Sequence, residues 1–118
     1  MIGKVKKWLG IDTDPCAIAE AAENRDLNFL QDRLVITDRK LETINDPYSL
    51  VIANLRYPSL KHLYPQMIRL TDSNGWLILS GFRTHELQNL TELYTGRHFK
   101  AVWTADELDW EAIVLKKI

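Results

Sequence analysis

Apolar residues occur along the chain in two patterns. Short, nearly continuous apolar runs predict β-strands at residues 5–12, 33–37, 50–53, 76–80, 99–104 and 110–115. Segments with apolar residues three and four positions apart predict helices at residues 14–28, 60–70 and 87–94. Because strands and helices alternate along most of the chain, the pattern predicts an α/β fold.

The order of the predicted elements also indicates how the strands are arranged. Runs 50–53 and 76–80 are almost free of polar residues, which is typical of parallel strands that helices bury on both faces. We therefore expect a Rossmann-like, doubly wound and mostly parallel sheet. No helix separates the last two runs, so these two strands are expected to form an antiparallel hairpin at one edge.

Polar side chains mark the carboxyl ends of the predicted strands. The residues that end or directly follow an apolar run are Asp12, Asp38, Asn54 and Ser80. In open α/β sheets, ligands bind beyond the carboxyl ends of the strands, so a ligand-binding rim is expected here. Spacing alone leaves other roles open. Asp12 fits a solvated acid at a strand end, and Asn54 fits a loop-forming residue. Asp38 fits a turn, and Ser80 fits a structural role.

Composition and charge narrow the class of protein. The 118 residues are 46% hydrophobic and 26% charged, which is ordinary for one globular domain spanning 1–118. The formal net charge of −1 predicts no binding to nucleic acid, and no apolar run is long enough for a membrane helix. The lone Cys16 excludes an intramolecular disulfide and fits a cytoplasmic location. His62, His85 and His98 share no spacing with acids, so no metal site is expected.

Four segments of the sequence resemble, in order and spacing, motifs of one enzyme family. They are GIDTDP at residues 10–15, LVIANL at 50–55, LILSGF at 77–82, and Asp109-Trp110 followed by an apolar strand. Together they resemble the PrmA-type ribosomal-protein methyltransferases, which are class I S-adenosylmethionine-dependent enzymes. The resemblance covers almost the full length of the chain. It implies a Rossmann-like methyltransferase domain.

The resemblance also implies a cofactor, a substrate and roles for three residues. The cofactor would be S-adenosylmethionine, with no metal. Asp12 would accept hydrogen bonds from the ribose hydroxyls of this methyl donor, for which a carboxylate offers several acceptor sites. Asn54 would be both a cofactor-binding and a catalytic residue, beside the methyl donor and the incoming amine, and Asp38 would approach the adenine edge. The implied partner is a ribosomal protein, large-subunit protein eleven, methylated on amino groups.

The sequence departs from the family pattern before Asp12. The five glycines form no GxG pattern, whereas the family carries a glycine-rich loop after its first strand, so the first strand of the usual seven is expected to be missing. Its absence would leave two neighbouring strands with unpaired backbone groups, each costing about 1–3 kcal/mol when buried. We expect one of three solutions: direct pairing of the two strands, a strand from another chain, or a longer natural protein. An open strand edge would also allow a homodimer.

These departures leave the function open between alternatives. One is a methyltransferase in truncated form, with weak or no donor binding and activity when alone. Another is a non-catalytic α/β interaction module derived from a methyltransferase, and a third is a nucleotide-binding protein that uses Asp12 on a ribose. Trp76, Trp103 and Trp110 lie within predicted strands and are expected in the core under each interpretation.

Overall fold

The computed structural model describes residues 7–12, 15–27, 34–37, 44 and 46–118. Within these residues six strands form one mixed sheet in the order β2-β1-β3-β4-β6-β5. The strands are β1 (Trp8–Asp12), β2 (Leu34–Thr37), β3 (Tyr48–Asn54), β4 (Thr71–Arg83), β5 (Phe99–Glu107) and β6 (Trp110–Lys117). The helices are α1 (Pro15–Leu27), α2 (Tyr57–His62), α3 (Tyr64–Leu70) and α4 (Leu87–Tyr94), the last preceded by a 3-10 turn at Thr84–Glu86. No helix in this described part is long and apolar enough to cross a membrane.

The strand arrangement confirms the predicted α/β fold. The strands β2, β1, β3 and β4 are parallel, and β6 pairs antiparallel with both β4 and β5. The expected gap in the sheet is closed by direct pairing, because β1 runs beside β3 from Trp8↔Leu50 to Asp12↔Asn54. This is the first of the three expected solutions. It brings the carboxyl ends of these two strands side by side.

The helix predicted over residues 60–70 is two helices instead. α2 and α3 each carry a proline near their first residue, and Leu63 separates them with φ −88° and ψ 6°. Proline has no backbone N–H, and its ring clashes with the carbonyl four residues earlier, which here belongs to Lys61. A continuous helix through Pro65 is therefore disfavoured. The chain ends one helix and starts the next.

One face of the sheet holds the hydrophobic core. Alternate residues of β1, β3, β4 and β6 are buried against the side chains of α2, α3 and α4; the strand residues are Leu9, Ile11, Val51, Ala53, Leu77, Leu79, Ile113 and Leu115. On the opposite face Leu50 is buried, whereas Trp8, Ile52, Trp76, Ile78 and Val114 are half-buried. The prediction that runs 50–53 and 76–80 are buried on both faces is therefore confirmed for the core face, and for the second face only at Leu50. The helix α1 contacts β1 and β2.

The C-terminal hairpin is confirmed, but two of its tryptophans lie outside the core. Its two-residue turn has positive φ at both positions, 50° at Leu108 and 69° at Asp109, as a type I′ turn requires. Trp103 is 63% exposed and Trp110 is 46% exposed, so their predicted core positions are wrong. Trp103 is exposed because β5 is an edge strand, and its side chains after Phe99 are mostly exposed on both faces. Trp110 is the first residue of β6, directly after the turn.

Candidate functional site

Side chains from three neighbouring strands form a chain of hydrogen bonds at the carboxyl rim of the sheet. Asn54 ends β3, and its Nδ2 donates to Oδ2 of Asp12 at the end of β1, at 2.9 Å. The Ser80 hydroxyl of β4 donates to Oδ1 of Asn54 at 3.2 Å. The parallel register explains the contact, because Asp12, Asn54 and Ser80 are consecutive partners across the sheet. The structure thus brings together Asp12 and Asn54, as the sequence predicted, whereas Asp38 lies outside the described residues.

A glycine permits the close approach of β3 and β4 at this rim. Gly81 has φ +93°, a region that side-chain-bearing residues rarely adopt. A Cβ atom there would lie 2.7 Å from the carbonyl oxygen of Leu55 and 2.8 Å from Oδ1 of Asn54. The Leu55 amide also donates to the carbonyl of Ser80 at 2.9 Å. Because Gly81 has no Cβ atom, Asn54 can occupy its position and the rim stays open.

A cleft of about 710 Å³ opens beside Asn54. Asn54, Ser80 and Gly81 line one side of it, and the β5–β6 hairpin lines the other. This volume is within the range of small-molecule binding sites, which is about 300–1,000 Å³. The cleft lies where open α/β sheets bind their ligands, beyond the carboxyl ends of the strands.

The hairpin side of the cleft is acidic. It contributes Asp106, Glu107 and Glu111, while Arg56 is the cationic residue in the cleft lining. These acids were not predicted as site residues from the sequence. Asp106 and Glu107 follow the predicted strand 99–104, whereas β5 continues to Glu107 and pairs there with Trp110. The signal in the sequence was the acidic composition of this segment.

The chemistry of the described side chains favours an organic ligand. Among the described residues no group of three or more His, Cys, Asp or Glu could hold a metal ion. The rim instead offers a carboxylate, an amide and a hydroxyl, which bind hydroxyl and amino groups by hydrogen bonds. Such a set suits a ligand with several hydroxyl groups, such as a sugar or nucleoside, at the rim.

The fold defines the class of protein: it is a Rossmann-like methyltransferase fold. The structure of ribosomal protein L11 methylase from Lactobacillus delbrueckii subsp. bulgaricus is similar, with a TM-score of 0.73 and 21% identity over 95% of this chain and 58% of that one. The structure of an S-adenosylmethionine-dependent O-methyltransferase from Thermotoga maritima is also similar, with a TM-score of 0.66 and 12% identity over 95% of this chain and 50% of that one.

The sequence defines the family within this class. Residues 2–118 match the family model of ribosomal protein L11 methyltransferase (PrmA). The chain therefore belongs to the ribosomal protein L11 methyltransferase family, as the four motifs indicated. Named ribosomal protein L11 methyltransferases that match include those of Glaesserella parasuis, 34% identical over 89% of this chain, and Pediococcus pentosaceus, 33% identical over 87%. The chain covers 35% and 33% of those proteins, about a third of their length.

Proposed function

We propose that the chain forms the donor-binding rim and part of the active site of an S-adenosylmethionine-dependent protein methyltransferase. The observation that carries this proposal is the 2.9 Å hydrogen bond between Asn54 and Asp12 at adjacent strand ends. It supports a site in which one side chain binds the methyl donor and the next faces the cleft. Family membership supports the same activity.

Asp12 is proposed to bind the ribose of the donor. A carboxylate can accept about four hydrogen bonds, which suits two adjacent hydroxyl groups. The bond from Asn54 to Oδ2 fixes the orientation of the carboxylate at the rim. Hydrogen bonds to a charged acceptor are the stronger ones in proteins, so Asp12 is expected to contribute most of the affinity that this rim supplies.

Asn54 is proposed to act where donor and acceptor meet. It contacts Asp12 on one side and lines the cleft on the other. A bound S-adenosylmethionine supplies an electrophilic methyl group, and the protein accelerates transfer mainly by aligning the two reactants. The Ser80 hydroxyl holds Oδ1 of Asn54. Asp38 stays a prediction as a residue at the adenine edge.

The acceptor is proposed to be an amino group of ribosomal protein L11. The support is family membership and the names of the matching relatives. A ribosomal substrate would place the reaction in the cytoplasm. The acidic wall of the cleft is compatible with an acceptor that carries positive charge.

Saturation-transfer NMR with S-adenosylhomocysteine tests the role of Asp12, because this method detects ligands that bind weakly. We expect transfer to the ribose protons with the unmodified chain and its loss in Asp12→Asn, which removes the charge and keeps the size of the side chain. Asp72→Asn removes an exposed charge from the other end of β4 and is the matched control. Undiminished transfer in D12N, or none in the unmodified chain at millimolar ligand, would contradict the proposal.

A further inference from the structure

The acidic wall of the cleft contains a carboxylate without a partner, on a residue that is mostly buried. Glu111 is only 7% exposed and lines the cleft. Within the described part of the chain, its carboxylate takes part in no hydrogen bond and no ion pair. Its carboxylate oxygens are not among the fully buried atoms of the described residues, so they are accessible from the cleft. A cation that enters the cleft can pair with them.

A second carboxylate lies directly opposite the first. Asp106 of β5 pairs with Glu111 of β6 in the antiparallel register, so the two side chains point to the same face. Like charges directly opposite each other destabilise a sheet. The neighbouring Arg83 does not relieve this repulsion, because its guanidinium pairs with Asp109 at 3.3 Å and stacks on Trp110 at 3.8 Å. The cleft lining has three acids, Asp106, Glu107 and Glu111, against the single cation Arg56, so it has an excess of negative charge.

The missing partner is a cation of limited size. The described acids do not form a group that could hold a metal ion. An alkylammonium group needs only one or two carboxylates, and it donates up to three hydrogen bonds. The cleft of about 710 Å³ is large enough for an aliphatic side chain that ends in such a group.

We infer that Glu111, with Asp106 opposite it, binds the ammonium group of the acceptor side chain in the cleft beside Asn54. This inference rests on the proposed function and adds the residues that select the acceptor. Glu111 is a specificity-determining residue, because it distinguishes a charged amine from a neutral side chain of the same length. Asn54 lines the same cleft, so the bound amine lies on the side of the rim where the donor is proposed to present its methyl group.

Binding of a lysine peptide to the full chain tests the inference. The probes are acetyl-Gly-Lys-Gly-amide and its norleucine analogue. Binding of each peptide is measured by the change in the NMR signal of the Trp110 indole N–H. We expect Glu111→Gln to weaken binding of the lysine peptide about tenfold or more, because a charge-assisted contact is lost. Glu92→Gln removes an exposed charge from α4 and is the matched control, with unchanged affinity expected. The norleucine peptide should bind all variants equally weakly.

Further measurements separate this inference from folding and from the proposed function. If circular dichroism shows that E111Q is unfolded, Asp106→Asn on the exposed strand β5 takes its place. This variant should also weaken binding of the lysine peptide. The inference would be overturned if a folded E111Q, or D106N in its place, bound the lysine peptide with the same affinity as the unmodified chain. Donor binding is measured in the same samples by saturation transfer. Its absence from the unmodified chain contradicts the proposed function, whereas unchanged lysine affinity with donor binding intact contradicts only the role of Glu111.

Discussion

Two hydroxyl groups show how single side chains organise this molecule. At the rim, the Ser80 hydroxyl holds Asn54, which in turn holds Asp12, so the site is ordered by hydrogen bonds between strand ends. In the core, the buried Tyr94 hydroxyl donates to the carbonyl of Leu60 at 2.6 Å and ties α4 to α2. Burial raises the pKa of Tyr94 well above its ordinary value of 10.0, and the nearby Tyr64 raises it further.

The raised pKa of Tyr94 predicts a loss of stability in alkali. The folded protein keeps this phenol protonated, whereas the unfolded chain releases the proton above pH 10. The contribution of Tyr94 to the free energy of unfolding is therefore present below that pH and is lost as the pH rises. We expect Tyr94→Phe to cost about 1–2 kcal/mol at neutral pH through the lost hydrogen bond. This difference in the free energy of unfolding should shrink at about pH 10.5, because the unmodified chain loses the contribution of Tyr94 there and Y94F has no phenol at this position to ionise.

Urea unfolding at the two pH values measures this effect. Tyr57→Phe, which changes a half-buried ring on α2, is the matched control. A difference between the unmodified chain and Y94F that stays constant from neutral to alkaline pH would contradict the argument.

At the scale of elements, the β5–β6 hairpin carries both the acidic wall and a strained turn. Leu108 has φ 50° although it is 87% exposed and packs little. Positive φ is unfavourable for a branched side chain, whereas type I′ turns favour asparagine and glycine. The turn is fixed from outside, because the Thr84 amide donates to the Asp109 carbonyl at 3.1 Å and Arg83 pairs with the Asp109 carboxylate.

Relieving this strain should stabilise the protein. We expect Leu108→Asn to raise the free energy of unfolding by about 0.5–1 kcal/mol, because asparagine tolerates positive φ and little buried surface is lost. This corresponds to a rise in Tm of about 2–5 °C for a domain of this size. Thermal melts followed by circular dichroism give the answer. Leu108→Val, which is β-branched, should melt lower than the unmodified chain, and an L108N variant that melts no higher would refute the strain argument.

The elements also show what the sequence could and could not predict. The apolar runs predicted each of the strands, and the lack of a helix between the last two runs predicted the hairpin. Hydrophobic periodicity did not predict the break at Leu63, where Pro65 interrupts an apolar pattern that by itself continues. It also did not extend β5 to Glu107, because that extension depends on pairing with Trp110 across the turn. Asp106 and Glu107 of the cleft were missed for this reason.

At the scale of the whole molecule, direct pairing of β1 with β3 creates the site. The sequence placed Asp12 and Asn54 at strand ends, but it did not show that β1 and β3 pair directly. That pairing joins segments 42 residues apart, as in the bond from Asn54 to Asp12. The parallel register then makes these two residues neighbours. The α/β class of the fold followed from the alternation of strands and helices.

The same architecture sets an expectation for affinity. Micromolar binding corresponds to about 8 kcal/mol, whereas a hydrogen bond to a charged group contributes about 1.5–3 kcal/mol. The 118 residues contain no GxG loop, which would allow close backbone approach to the donor. We therefore expect weak binding of S-adenosylmethionine by these residues alone, with Asp12 supplying most of it.

A crystal structure of this chain grown with millimolar S-adenosylhomocysteine tests the central claim most directly. The claim predicts both ribose hydroxyl oxygens within about 2.5–3.0 Å of the Asp12 carboxylate, with the sulfur on the Asn54 side of the rim. Adenosine bound elsewhere on the protein, or bound at the rim with its ribose turned away from Asp12, would contradict it.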